Sequence, residues 1–174
     1  MEMETGIIDI SMSADFAIEV NYNLTTMQMA VAGGYKWKHK NVNNRIFPVP
    51  EEKVGTVENL VARLVDFKLN ADKEETISNR EAILKIAEMD NANWRLPTAA
   101  EALAFGAQHP REQEKSSIIA LGSARRVASG HYLIICLASW FKIRKGSKRL
   151  KRWLHTVRLD GKWPAGYRFL VIHK

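Results

Sequence analysis

The stretch NWRLPTAAEALAFG, residues 93–106, carries the strongest local structural signals in this chain. Pro97 disfavours helical backbone in the residue before it, so the preceding residues are predicted to be extended. Thr98 is a good helix N-cap, and Glu101 three residues later completes the spacing of a capping box. The stretch therefore predicts the end of a strand followed directly by a helix over 98–107.

Apolar periodicity on either side of this stretch predicts the other elements. TVENLVARLVDFKLN has apolar residues at the i, i+3, i+4 and i+7 spacing of an amphipathic helix, and Ser78 with Glu81 forms a second capping box. Segments rich in β-branched and aromatic residues indicate strands. MQMAVAG, residues 27–33, fits either a hairpin or a short helix. We predict helices over 56–69, 78–89 and 98–107, and strands over 16–22, 131–141, 151–160 and 166–174.

The chain length and the order of these elements predict one domain. An apolar content of 46% supports a packed core, and 174 residues leave little room for two domains. A first strand, three helices and a final group of strands predict a single α+β domain over 1–174, with 1–14 as a tail or extension. The longest apolar run, ten residues over 132–141, is about half a membrane span, so we expect no membrane span. No export signal is visible in the N-terminal residues, which predicts a cytoplasmic protein.

The sequence contains no recognisable catalytic or metal-binding motif. Cys136 is the single cysteine, which excludes an internal disulfide framework, and its apolar surroundings predict a buried side chain. The five histidines are scattered without metal-ligand spacing, and Gly33-Gly34 lacks the residues of a phosphate-binding loop. We expect no catalysis, no metal and no cofactor. The remaining alternative is an enzyme site assembled from residues that are distant in sequence.

The most unusual stretch is FKIRKGSKRLKRW, residues 141–153, because seven of its twelve residues from Lys142 onward are basic. Without them the chain carries 19 basic and 19 acidic residues, so the net charge of +7 belongs to this stretch. Three interpretations are open. It is a solvated hairpin whose charges keep a sheet edge soluble, a nucleic-acid-binding surface, or a site for another anionic ligand.

A first resemblance lies in residues 93–106. WRLPT followed by Glu resembles the signature of the C-type-lectin-like superfamily, in the branch that includes formylglycine-generating and sulfatase-modifying domains. The copper-binding cysteines of the formylglycine-generating enzymes are absent, and so are the sugar-binding triplets of calcium-dependent lectins. The resemblance therefore implies a scaffold without oxidase activity or calcium-dependent sugar binding.

A second resemblance covers most of the chain. FAIEVNY, AGGYKW, FPV, EALAFGAQHP, IIALGS and the ending WPAGYRFLVIHK are similar to segments of archaeal variable proteins of diversity-generating retroelements, from nanoarchaea and candidate-phyla bacteria. In such systems a reverse transcriptase rewrites codons at the 3′ end of a gene, and a C-type-lectin fold displays the altered side chains. The resemblance implies paired N- and C-terminal strands (16–22 with 166–173), two to three helices and a mostly irregular ligand-binding face built from 124–162. The variable-region-like part would cover about 122–174.

The resemblance divides the C-terminal part into two sets of residues. The framework positions, which should pack or turn, are Gly122, Ser123, Leu137, Trp163, Tyr167, Arg168, Phe169 and Leu170. The displayed, ligand-binding positions are Trp140, Phe141, Lys142, Arg144, Lys145, Lys148, Arg149, Lys151, Trp153, His155, Arg158, Asp160 and Lys162. The implied function is non-catalytic binding of an acidic protein or other anionic ligand by a retroelement-diversified surface. The alternative is a non-diversified nucleic-acid-binding module that uses 142–153.

Overall fold

A computed structural model of the chain describes residues 8–35, 37–89, 93–144 and 147–174, with the side chains of 140–150 outside the description. The α-helices in these ranges are α1 (Thr26–Ala32), α2 (Asn79–Glu88), α3 (Ala99–Gln108) and α4 (Pro110–Lys115). The strands are β1 (Asp9–Met12), β2 (Phe16–Asn21), β3 (Trp37–Lys38), β4 (Val57–Lys68), β5 (Thr76–Ser78), β6 (Trp94–Arg95), β7 (Ile118–Arg126), β8 (Tyr132–Arg144), β9 (Ser147–Arg158), β10 (Lys162–Pro164) and β11 (Arg168–His173). None of the described helices has the length and apolar character needed to cross a membrane.

The strands form one large, mostly antiparallel sheet with helices on both faces. Its main order is β1-β4-β11-β7-β8-β9-β3; β2 also pairs with β4, β6 also pairs with β11, and β5 and β10 form a separate small sheet. Helices α1 and α3 pack on one face around a core that includes Phe105 and Leu137. Helix α2 and the small sheet pack on the other face around Ile86 and Phe169. The fold is therefore α+β, as predicted, and β8 and β9 form its outer hairpin, bordered by the two-residue β3.

The stretch over 93–106 folds around one buried carboxylate. Glu101 is 1% exposed and accepts a hydrogen bond from each terminal nitrogen of Arg95, both at 2.8 Å. The Thr98 backbone N–H donates to the same carboxylate at 2.8 Å and the Tyr22 hydroxyl at 3.1 Å. Burial alone would raise the pKa of Glu101, but the hydrogen bonds from Arg95 and Thr98 outweigh it and lower the pKa below its usual value. Because Arg95 belongs to β6, which pairs with β11, this ion pair joins the start of α3 to the sheet.

Most of the predicted elements are confirmed. Helices α2 and α3 begin after the predicted caps Ser78 and Thr98, and both capping boxes are complete. The segment over 27–33 is helical, as α1, and the four predicted strands correspond to β2, β8, β9 and β11. Part of the predicted N-terminal extension, Asp9–Met12, forms β1 and pairs with β4.

The predicted helix over 56–69 is wrong, because these residues form β4. Helical and strand periodicities coincide in this segment, since six of the eight residues over 60–67 are apolar. Ala62 and Leu64 face the first core, whereas Val65 and Phe67 face the second. A central strand that is buried on both faces has a continuous apolar run, which periodicity alone does not distinguish from a helix.

Three further features implied by the resemblance are also wrong. The N- and C-terminal strands do not pair, because Ala62 of β4 lies between Phe16 of β2 and Ile172 of β11. The described residues contain four α-helices instead of two to three. The segment over 124–162 is not irregular, since β8 and β9 form a continuous antiparallel ladder of twelve residue pairs. Within this segment, β8 is buried on both faces over 133–137 and therefore does not alternate.

Replacing the buried carboxylate tests its role. Glu101→Gln should lower the free energy of unfolding by about 3 kcal/mol, because Arg95 loses its charged partner. Glu81→Gln is the matched control, since Glu81 holds the same capping-box position in α2 but is exposed, and its loss should stay below about 1 kcal/mol. Urea denaturation at neutral pH measures both values, and equal losses would contradict the role given to Arg95.

Comparing wild type with Glu101→Gln at different pH values gives a second test. Because the pKa of Glu101 is lowered in the folded state, its stabilisation is present above the ordinary carboxyl pKa and is lost as the pH falls through the folded-state value. The stability difference between wild type and Glu101→Gln should therefore shrink below about pH 4.

Candidate ligand site at the sheet edge

The predicted ligand-binding residues lie along the β8–β9 hairpin and the segment after it. The backbone of 140–144 belongs to β8 and that of 147–150 to β9. Outside the description lie all of Lys145 and the side chains of Trp140, Phe141, Lys142, Arg144, Lys148 and Arg149. The described ligand-binding candidates are Lys151, Trp153, His155 and Arg158 in β9, Asp160 in the turn after it, and Lys162 in β10.

Trp153 and His155 belong to a cluster of four rings from two distant parts of the sequence. Trp37 of β3 pairs with Trp153 in the parallel β3–β9 register, and their rings meet edge to face with centroids 4.4 Å apart. The His155 ring lies 5.0 Å from Trp153 and 5.3 Å from His39, which directly follows β3. We call these four rings, Trp37, His39, Trp153 and His155, the edge cluster.

The hydrogen bonds of His39 fix its tautomer. The Asn41 backbone N–H donates to His39 Nδ1 at 3.3 Å, and the Thr156 hydroxyl lies 3.0 Å from the same nitrogen. Because a backbone N–H can only donate, Nδ1 is an acceptor and the ring proton of neutral His39 lies on Nε2. Burial first, and then the positive charge of Lys40, lower the pKa of His39. His39 is therefore neutral at neutral pH.

Two ring nitrogens of the edge cluster are buried without a hydrogen-bond partner in the part of the chain that the structure describes. They are Trp153 Nε1 and His155 Nδ1. Burial, and then the nearby His39, lower the pKa of His155. Buried polar atoms are nearly always hydrogen-bonded in folded proteins, so two unpartnered ones on neighbouring rings require an explanation. Trp37, in edge contact with Trp153, is 46% exposed.

The other described candidates lie apart from these rings. Arg158 donates to Asp160 at 3.0 Å in an exposed ion pair, and this hydrogen bond lowers the pKa of Asp160. Lys162 is exposed in β10 and pairs with Ser78 of the small sheet. Lys151 is half-buried and lies two residues before Trp153 in β9. The structure thus brings Trp153 and His155 together, with Lys151 on the same strand.

Arg152, a basic residue that the resemblance does not count as displayed, holds β9 against the helices. Its guanidinium donates to the Gly33 carbonyl after α1 at 2.8 Å and to the Gly106 carbonyl in α3, and it stacks 4.6 Å from the Tyr35 ring centroid. The fully buried Gln113 of α4 donates to backbone carbonyls of both β8 and β9 and accepts from Arg152 at 3.4 Å. One of the seven basic residues therefore stabilises the fold.

The framework positions of the C-terminal part are largely internal. Those that are buried are Ser123, Leu137, Trp163, Phe169 and Leu170. Trp163 Nε1 donates to the Asn79 side chain at 2.6 Å. A Cβ at Gly122 would lie 2.5 Å from the Pro97 carbonyl oxygen, so the backbone of β7 packs directly against the stretch over 93–106.

Two members of the edge cluster, Trp37 and His39, were not predicted from the sequence. The segment over 35–52 was expected to be an irregular connection, and a two-residue strand gives almost no periodicity. The alternation of Tyr35, Trp37 and His39 with lysines is the signal that could have indicated a strand. These residues lie more than a hundred positions before β9 in the sequence, so their pairing with it leaves no local sequence pattern.

The chemistry available at the edge cluster is hydrogen-bond donation and aromatic contact beside cationic residues. Among the described residues, no group of three or more His, Cys, Asp or Glu side chains could hold a metal ion. Cys136, the cross-strand partner of His155, is buried as predicted, and burial raises its pKa to about 12, so the thiol stays protonated. Comparison of the chain with family models, with curated proteins and with solved structures found no match.

The role assigned to Arg152 predicts a large effect of a conservative change. Arg152→Lys should lower the free energy of unfolding by about 2 kcal/mol, because a lysine ammonium group lacks the planar fork with which arginine donates to both carbonyls. Arg158→Lys is the matched control on the same strand and should leave stability unchanged within error, since its ion pair is exposed. Chemical denaturation of both variants makes the comparison, and similar midpoints would contradict the assignment.

Proposed function

We propose that this chain is a non-catalytic binding protein whose ligand face is the β8–β9 hairpin together with β3, and whose ligand is an acidic protein surface. The observation that carries the proposal is the edge cluster, where Trp153 Nε1 and His155 Nδ1 are buried without partners beside the half-exposed Trp37. A tryptophan in the position of Trp153, next to arginine and lysine, is the kind of residue that contributes most at protein interfaces.

The charge of the hairpin supports an anionic partner. The seven basic residues over 142–153 account for the whole net charge of the chain. They are distributed over β8, β9 and the two residues that connect these strands. The β9 edge is bordered by β3 at Trp37 and Lys38 alone among the described residues. Pairing of two such edges would bring like charges together, which disfavours a second copy of this chain and favours an acidic partner.

We also propose that this face is a retroelement-diversified surface on a C-type-lectin-type scaffold. Support comes from the resemblance over most of the chain and from the separation of its two residue sets. Most of the framework positions are buried, whereas the described displayed positions are half-buried or exposed. A binding surface can change repeatedly only if its accessible side chains are separate from those that form the stable interior.

A peptide selection tests the ligand class. Panning a random peptide library on the immobilised protein should enrich peptides rich in Asp and Glu, because the face is basic. Lys151→Glu should weaken binding of the enriched peptides about tenfold, since it reverses a charge within the face. Lys73→Glu makes the same charge change in an exposed turn outside the hairpin and should leave affinity within about twofold. Enrichment of uncharged peptides, or equal effects of the two variants, would contradict the proposal.

Comparison of sibling gene copies tests diversification. Copies from the same genome should differ at 140–162 and agree over 93–123 and 163–174, and a reverse transcriptase gene with a template repeat should lie nearby. The physical reason is that substitutions at half-buried or exposed positions such as Lys151 and Arg158 cost little stability, whereas core substitutions cost on the order of 2–5 kcal/mol. Identical residues over 142–153 in every copy would contradict diversification without bearing on the ligand class.

A further inference from the structure

The two unpartnered ring nitrogens have a specific consequence for how the partner binds. Trp153 Nε1–H can only donate a hydrogen bond, and its ring lies 5.0 Å from that of His155. Both nitrogens lie on β9, two residues apart, and both are buried. His155 Nδ1 donates when it carries the ring proton, and in that form a ligand group that accepts two hydrogen bonds satisfies both nitrogens at once.

Trp37 lies against the rings that carry these nitrogens in the free protein. Its ring contacts Trp153 edge to face at 4.4 Å and lies 6.4 Å from His155. It is carried by β3, which has two residues and pairs with β9 at two positions. Few backbone hydrogen bonds hold such a short strand, so movement of the Trp37 side chain requires little disruption of the sheet.

We infer that a carboxylate of the acidic partner accepts hydrogen bonds from Trp153 Nε1 and His155 Nδ1 after Trp37 moves aside. The inference rests on the proposed function and names the contact that the partner makes. An aspartate or glutamate side chain fits because its two oxygens can each accept one ring N–H. Burial of the contact strengthens both hydrogen bonds by excluding water.

The ring geometry favours a carboxylate over a stacked nucleobase. Trp37 and Trp153 are inclined at 82°, and His39 and His155 at 78°. The remaining ring pairs of the cluster are inclined at 37° to 59°. None of these five contacting pairs is parallel, so none of them offers two facing rings between which a base could stack.

This contact should also make the affinity for the partner depend on the protonation of His155. Among the described residues, the titratable and charged groups around His155 include His39, Cys136 of β8 across the hairpin, Tyr167 next to Cys136, and Lys40 beside His39. Of these groups, the two histidines are the ones that titrate near neutral pH. In the free protein, burial and His39 lower the pKa of His155. A bound carboxylate raises it, so affinity should increase as the pH falls through the bound-state pKa of His155.

A titration of the ¹⁵N-labelled protein with hexaglutamate at low salt tests the contact. The Trp153 indole N–H resonance should move downfield, and affinity should be about fivefold higher near pH 6 than near pH 7.5. The Trp163 indole is the internal control, because its N–H is already bound to Asn79, and its resonance should not move. Trp153→Phe keeps an aromatic ring, although a smaller one, and removes the donor, so it should weaken binding about tenfold. Trp37→Ala should strengthen binding, because the side chain that has to move aside is absent.

The outcomes separate this inference from the proposed function. If the Lys151 amide shifts while the Trp153 indole does not, the carboxylate contact is wrong and the basic face still binds. If no β9 resonance shifts, the proposed function fails as well. If an oligothymidylate of equal charge moves the Trp153 indole further than hexaglutamate does, the acceptor is a nucleic-acid group and the carboxylate assignment is overturned.

Discussion

The ion pair between Glu101 and Arg95 fixes the arrangement on which the rest of the fold depends. A carboxylate that is 1% exposed costs several kcal/mol to bury unless charged and polar donors satisfy it. Here the donors come from β6, from the first turn of α3 and from Tyr22 after β2. Tyr22 lies 79 residues before Glu101, so satisfying one carboxylate restricts how distant parts of the chain approach the sheet. The position of α3 over the first core follows from this restriction.

Helix α3 in turn positions the outer hairpin. The Gly106 carbonyl accepts a hydrogen bond from Arg152 of β9, and a Cβ at Gly106 would lie 2.0 Å from the Tyr35 hydroxyl oxygen. A glycine is therefore needed for Tyr35 to pack against α3, where the Arg152 guanidinium stacks on its ring. The acceptors for Arg152 at Gly33 and Gly106 are main-chain carbonyls, so side-chain changes elsewhere on the hairpin leave them in place.

How much could be predicted from the sequence depended on the range of the interaction. The capping boxes at Ser78 and Thr98 are local, and the helices that they begin were predicted at the right place. The segment over 56–69 was assigned to a helix because a strand buried on both faces lacks the alternation of a half-buried one. Trp153 and His155 are among the predicted binding residues, whereas their neighbours Trp37 and His39 are not, because pairing between β3 and β9 is a long-range contact.

The structure of β9 separates the residues that stabilise the sheet from those proposed to bind the ligand. Successive residues of a strand point to opposite faces, so Arg152, Leu154 and Thr156 lie on the face of the first core, and Trp153 and His155 on the other. The first set holds the strand in place. In the free protein the second set includes two unpartnered nitrogens, each costing about 1–3 kcal/mol. A surface of this kind tolerates change at alternate positions, because the residues between them carry the stability that the binding residues lack.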